Sequence, residues 1–288
     1  TEAFLAKVPP ADRAKSDAYF EGGYWLQLWE FLVGLAVAWI FLGTGLSAKI
    51  RGRVETLTRF RSLQTFLYAV AYILLATLLF FPLTLYSGFF REHQYSLSNQ
   101  SFGAWMKDQA IELGVTLVLG SLALAALYAV FRRAPRRWWI GGAVVALVFL
   151  LFTALIGPVY IAPLFNTYTS LKDPDLRESI LSMARANGIP AEDVYQFDAS
   201  RQSKRVSANV SGLLGTLRIS LNDNLLNRCS REEIQAVMAH EMGHYVLNHV
   251  YKGILFFGVI IFFGFAFVRG SFEALVRRFG GRWGIRGI

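Results

Sequence analysis

Residues 138–160 read WWIGGAVVALVFLLFTALIGPVY, a stretch without a single charge that ends in Gly157-Pro158. A bilayer-crossing helix needs about 20 predominantly apolar residues, so this stretch predicts a membrane span. Outward from it the pattern recurs. Residues 111–131 precede it, with Glu112 at the edge; residues 63–90 carry Pro82 near their far end; residues 24–47 are interrupted only by Glu30. A shorter apolar run, GILFFGVIIFFGFAFV, follows at 253–268. Trp25, Trp29, Trp138 and Trp139 lie near predicted span ends, where interfacial aromatics gather.

The composition of the whole chain agrees. Of 288 residues, 54% are hydrophobic and 17% charged, against roughly 45–50% and about 25% in soluble domains. An ordinary soluble globule and a disordered chain are both excluded. The net charge of +9 resolves into clusters at span ends. Lys49, Arg51, Arg53, Arg59 and Arg61 fill the first loop, Arg132, Arg133, Arg136 and Arg137 the third, and Arg269, Arg277, Arg278, Arg282 and Arg286 follow the fifth span. No isolated basic domain remains, so the partner implied by the charge is the lipid bilayer and no nucleic acid is expected. Basic loops favour the cytoplasmic side, which places the N-terminus and residues 161–252 on the opposite one. A single cysteine, Cys229, rules out an intrachain disulfide.

The expected organisation is an N-terminal extension (1–23), a membrane module of four spans (24–160), a water-compatible domain (161–252), a fifth span (253–268) and a basic tail (269–288). Within 161–252, Asp173-Pro174 is an N-cap followed by proline at the first helical position. Leu176, Ile180, Leu181 and Ala184 then repeat at helical spacing, and Gly188 and Pro190 end the helix. Residues 194–197 predict a short strand. Leu217, Ile219 and Leu221 alternate with Arg218 and Ser220, as in a half-buried strand. Residues 200–215 read as a loop or irregular edge. Ser230 and Glu233 form a capping box that opens another helix.

That last helix concentrates the chemistry. It contains His240-Glu-Met-Gly-His244, and three of the chain's four histidines fall between 240 and 249. Four residues apart on a helix, His240 and His244 present their imidazoles to one point, a spacing suited to two ligands of a tetrahedral Zn²⁺. Glu241 borders the same site and can take a proton from metal-activated water as it attacks a carbonyl. His249, five residues beyond His244, faces elsewhere on a continuous helix, so a supporting place beside the ligands is expected.

These residues together resemble the integral-membrane zinc metallopeptidases typified by the type I CAAX prenyl protease and its bacterial relatives, among them the heat-shock membrane protease. The resemblance rests on HEMGH at 240–244, IAPLFN at 161–166, DASRQS at 198–203 and RISLNDNL at 218–225, and on 82–108 with Tyr86, Phe90, Glu92, Trp105 and Asp108. It implies a multi-pass α-helical membrane protein with an inserted α+β zincin-like (gluzincin) catalytic domain and one Zn²⁺ per chain. It also implies an endopeptidase acting on hydrophobic, membrane-associated or CAAX-type peptides and membrane proteins. Substrate would add as a strand along Ser207, Ala208, Asn209 and Val210. Ser207 and Asn209 depart from the N-A-Y of the eukaryotic enzymes. The resemblance also implies a cytoplasmic catalytic domain, against the charge bias. The third zinc ligand of the family is a glutamate in an E-x-x-x-D helix. Glu273 has Arg277 where the aspartate would stand, so that ligand is expected beyond Ile288. The alternative is a catalytically inactive membrane scaffold or chaperone that binds peptides by edge-strand addition.

Overall fold

The computed structural model describes residues 8–212 and 216–285. In chain order the membrane module comprises α1 (Pro10–Gly43), a shorter α2 (Leu46–Leu57), α3 (Arg61–Gln94), α4 (Phe102–Arg133) and α5 (Trp138–Phe165). The water-compatible domain follows: β1 (Tyr168–Ser170), α6 (Pro174–Ala186), β2 (Val194–Phe197), β3 (Ala208–Ser211), β4 (Arg218–Asn222), α7 (Asp223–Arg228) and α8 (Arg231–Val246). The last long helix is α9 (His249–Phe279). Among the described residues, α1, α3, α4, α5 and α9 are long and apolar enough to cross a membrane.

The helices outrun the apolar windows. α1 begins at Pro10, inside the predicted extension, and α9 continues past residue 268 to Phe279. Hydrophobicity marks the part of a helix that sits in lipid, whereas the polar first turns of α1 are held by contacts remote in sequence: Lys15 Nζ donates to Ser96 Oγ (3.2 Å) and Arg205 Nη2 to the Tyr19 hydroxyl (2.8 Å). The first basic loop is also largely helical, as α2.

Proline sets the two irregular turns. Pro158 brings no N–H, and the chain around it winds as a π-helical turn over Gly157–Ile161. A second π-helical turn, Tyr86–Phe90, lies one turn past Pro82. The carbonyl of Pro158 accepts from Arg218 Nη1 (2.9 Å), which ties the end of α5 to the sheet. α5 also packs closely on α9. A Cβ on Gly142 would lie 2.5 Å from Phe265 Cε1, so only a bare backbone fits there.

The sheet has the order β1-β2-β4-β3, with β2 and β4 parallel and the outer pairs antiparallel. β3 is an edge. Ile180, Val194, Ile219, Leu221, Leu225, Met238 and Met242 form a closed core between the sheet, α6 and α8. The caps form as the sequence dictates. Asp173 accepts from the Leu176 N–H (3.0 Å), Ser230 accepts from the Glu233 N–H (3.3 Å), and Glu233 returns a bond to the Ser230 N–H (2.7 Å). One expectation is corrected. β4 is not half-buried, because as a central strand it also buries Ser220 and Asn222, each 1% exposed.

Candidate active site

The core positions the histidines. Ile234, Met238 and Met242 recur every four residues and face inward. At about 100° per residue, His240 lies about 200° from Met238 and His244 about 200° from Met242, so both imidazoles project away from the core and are exposed. They meet there. His240 Nε2 and His244 Nε2 stand 3.1 Å apart. Two nitrogens on a tetrahedral zinc, each about 2.05 Å from it, are separated by about 3.3 Å, so this pair fits two positions of such a site.

Tautomer chemistry supports the fit. His244 Nδ1 is 2.7 Å from His249 Nδ1. When Nδ1 of His244 carries the proton and donates it to His249, Nε2 keeps its lone pair for a metal. His249 reaches this place because α8 stops at Val246. Asn248 takes a left-handed conformation (φ 57°), and the chain turns into α9 with His249 as its first residue. Glu241, half-buried beside His240, has no hydrogen-bond or ion-pair partner among the described residues.

No group of three His, Cys, Asp or Glu side chains with metal-binding placement occurs among the described residues. Glu273 is occupied elsewhere. It pairs with Arg269 (3.4 Å), and on the continuous helix α9 it stands about 36 Å from His249.

The predicted substrate strand falls on and just before β3. The Ser207 carbonyl accepts from the Asn222 N–H (2.9 Å), and the Ser207 N–H donates to Asn222 Oδ1 (3.1 Å). Ser207 therefore faces β4. With the register Ala208↔Leu221 and Asn209↔Ser220, antiparallel alternation turns the main chain of Asn209 inward and that of Ala208 and Val210 toward the open edge. α8 packs against β3, so this edge runs beside the helix that bears the histidines.

The loop that feeds the edge is framed from both sides, and the sequence reading missed most of the frame. Asp108, on α4 and 8% exposed, accepts from Gln202 Nε2 (2.8 Å) and from Gln100. Asn99 N–H donates to the Gln202 carbonyl and Lys204 N–H to the Leu97 carbonyl, both at 3.0 Å. Arg205 pairs with Glu92 (2.9 Å), and the Tyr19 hydroxyl donates to the same carboxylate (2.7 Å). From below, Asn222 Nδ2 and Asn224 Nδ2 both donate to the Arg205 carbonyl (2.7 and 3.1 Å). The DASRQS and RISLNDNL segments thus act as scaffolding. Ser200 binds Asp223, and Asp198 accepts from the Thr167 N–H (2.7 Å). α8 is held at its start, where Arg231 reaches Asp173 (2.7 Å). The Leu176 N–H, and then Arg231, hold the Asp173 carboxyl below the usual carboxylate range.

Comparison with known proteins places this arrangement. Residues 1–167 match the family described as CAAX prenyl protease N-terminal, five membrane helices, and residues 170–286 match peptidase family M48. An uncharacterized metalloprotease of Bacillus subtilis, YhfN, is 33% identical over 251 residues, covering 86% of this chain and 59% of that protein. CAAX prenyl protease 1 of Saccharomyces cerevisiae is 33% identical over 189 residues, 63% of this chain and 40% of the yeast protein. The crystal structure of S. mikatae Ste24p superimposes with a TM-score of 0.78 at 28% identity, covering 92% of this chain and 64% of that one. The chain spans between two fifths and three fifths of the length of these two curated relatives. Its fold is thus that of a multi-pass membrane protein carrying an M48 domain, and with more than half of its residues matching the CAAX prenyl protease membrane module, the chain belongs to the CAAX prenyl protease-type metallopeptidases of family M48.

Proposed function

We propose that this chain carries the catalytic helix of a membrane-embedded zinc metalloendopeptidase that hydrolyses hydrophobic, membrane-associated or CAAX-type peptides. The observation that carries the reading is the 3.1 Å approach of His240 Nε2 to His244 Nε2, beside an unpartnered Glu241 and an open strand edge. His240 and His244 would hold the ion, with a carboxylate outside the described residues as third ligand. A bound zinc ion supplies Lewis acidity at this point. The Glu241 carboxylate accepts a proton from the attacking water and delivers it to the departing amine. Ala208 and Val210 bind the peptide through main-chain hydrogen bonds, which select an extended backbone and leave side-chain choice to the surrounding walls. The names of the yeast and plant relatives, CAAX prenyl protease 1 and its homologue, support a CAAX-type substrate class.

The test uses the protein purified at its full natural length with a farnesylated CAAX peptide and its unmodified counterpart. Glu241→Ala should retain zinc and lose roughly 10²–10⁴-fold in turnover, while His240→Ala should lose zinc and turnover together. Undiminished turnover in Glu241→Ala overturns the assigned base. Peptide binding without turnover in the zinc-loaded wild type would favour the scaffold reading instead.

A further inference from the structure

A cavity of about 810 Å³ opens at the end of the membrane helices remote from the sheet. Each wall helix enters it by the end away from the peptidase domain. α3 contributes Arg61 and Tyr68, whereas its far end reaches the loop clamped to residues 200–205; α4 contributes Tyr128, Phe131 and Arg132, whereas its first turns hold Asp108. α9 contributes Phe265 and Phe272, and α2 contributes Arg51. The lining is two-sided in character. Trp138, Phe265 and Phe272 make one apolar wall, while Arg51, Arg61 and Arg132 supply three guanidinium groups.

These charges are under-compensated. Among the described residues Glu55 is the one carboxylate in the lining, and it stands 3.7 Å from Arg51 Nε. This ion pair is too long for a hydrogen bond; Arg51 Nη1 donates to the Gly284 carbonyl (3.2 Å), while its Nε, shielded from solvent, has no hydrogen-bond partner among the described residues. Among the described residues Arg132 bonds the neutral hydroxyls of Thr65 (3.1 Å) and Ser62 (3.3 Å), which fix its guanidinium in place. The Arg61 side chain has no hydrogen-bond or carboxylate partner among the described residues. Three guanidinium groups lining one cavity beside a single carboxylate leave a net positive charge there that favours a phosphate, which they engage with charge-assisted bonds. The adjoining aromatic wall fits an acyl chain, and a basic pocket between membrane helices is a setting in which anionic headgroups bind.

We infer that this cavity is a binding site for one anionic phospholipid, its phosphate among Arg51, Arg61 and Arg132 and its acyl chain against Trp138, Phe265 and Phe272. The site is separate from the histidine helix and does not rest on the peptidase reading.

Native mass spectrometry of the full chain, released from detergent micelles doped with dioleoyl-phosphatidylglycerol or dioleoyl-phosphatidylcholine, tests it. The expected result is one retained phosphatidylglycerol, held more tightly than phosphatidylcholine. Arg61→Gln, which breaks no side-chain hydrogen bond among the described residues, should weaken retention roughly five-fold, the effect of about one charge near a membrane surface. The double variant Arg61→Gln/Arg132→Gln should weaken it further. The control Arg133→Gln/Arg136→Gln removes two charges at the same end that do not line the cavity, and should leave retention unchanged. Equal retention of the two lipids, equal loss in the control, or displacement of the lipid by inorganic phosphate would each overturn the proposal.

Discussion

The Nδ1 atoms of His244 and His249 stand 2.7 Å apart across the break between α8 and α9. This contact makes His249 the group that fixes the ring of His244 and its tautomer. Partners that orient a metal-binding imidazole typically contribute about 10–100-fold to metal affinity. His249→Ala should therefore weaken zinc binding by about that factor while leaving the fold intact, since His249 is exposed. Competition with a zinc chelator measures the affinity, and circular dichroism checks the fold. Unchanged zinc affinity would show that the contact does not govern the ligand.

The strand edge gives a paired test. Val210 turns its main chain outward and Asn209 turns inward to β4. Proline is tolerated where the missing N–H faces an open edge and is costly where it breaks a ladder. Val210 also packs against the core, so Val210→Pro should lose some thermal stability and show a raised KM for peptides. Asn209→Pro should be clearly the more destabilised of the two. Thermal unfolding and cleavage kinetics of both variants, read side by side, check the register. Equal loss of stability in both would reject it.

Much of this fold is legible because its signals are local. The five membrane helices follow from apolar length alone, the caps at Asp173 and Ser230 from a few neighbouring residues, and the pairing of His240 with His244 from the pitch of a helix. What stays hidden depends on separation in sequence. Asp108 and Gln202 are 94 residues apart, and nothing near either marks the bond between them. His249 illustrates a subtler limit. On a continuous helix, five residues would carry it about 140° away from His244, but the left-handed Asn248 ends α8 and redirects the chain. Asparagine is one of the few residues other than glycine that visits that conformation readily, so the break has a sequence cause that periodicity does not reveal.

The Asp108 frame is expected to govern the loop that enters the substrate edge. Asp108→Ala leaves the Gln100 and Gln202 amides without their acceptor in a buried place, and such unpaired groups cost about 1–3 kcal/mol each. The local consequence should exceed the global one. Hydrogen exchange across residues 199–207 should accelerate relative to the core strand β4. Asp108→Asn keeps the shape and one acceptor oxygen, so it should restore most of the protection. Uniform acceleration over the whole domain would show that Asp108 supports the fold generally and does not act on this loop.

Acid should loosen the peptidase domain through Asp193. Burial alone would raise its carboxyl, but bonds from Ser170, Arg177 and the Val194 N–H outweigh burial and hold it below the usual range. The sign follows from linkage. A carboxyl whose folded pKa is depressed binds fewer protons folded than unfolded, so its contribution is present above the unfolded value of about 3.9 and is lost as pH falls through the lower folded value. Asp193→Asn keeps the size and an acceptor oxygen but cannot ionise. The stability difference between wild type and Asp193→Asn should be constant from neutral pH to about 5, then shrink below about 4 and vanish once both folded and unfolded carboxyls are protonated. Because the Arg177 side chain is 37% exposed, the plateau should be modest, about 1 kcal/mol or less. Thermal unfolding across a pH series reads it directly. A difference that persists undiminished at the acid end would assign the effect to packing and remove the charge from the account.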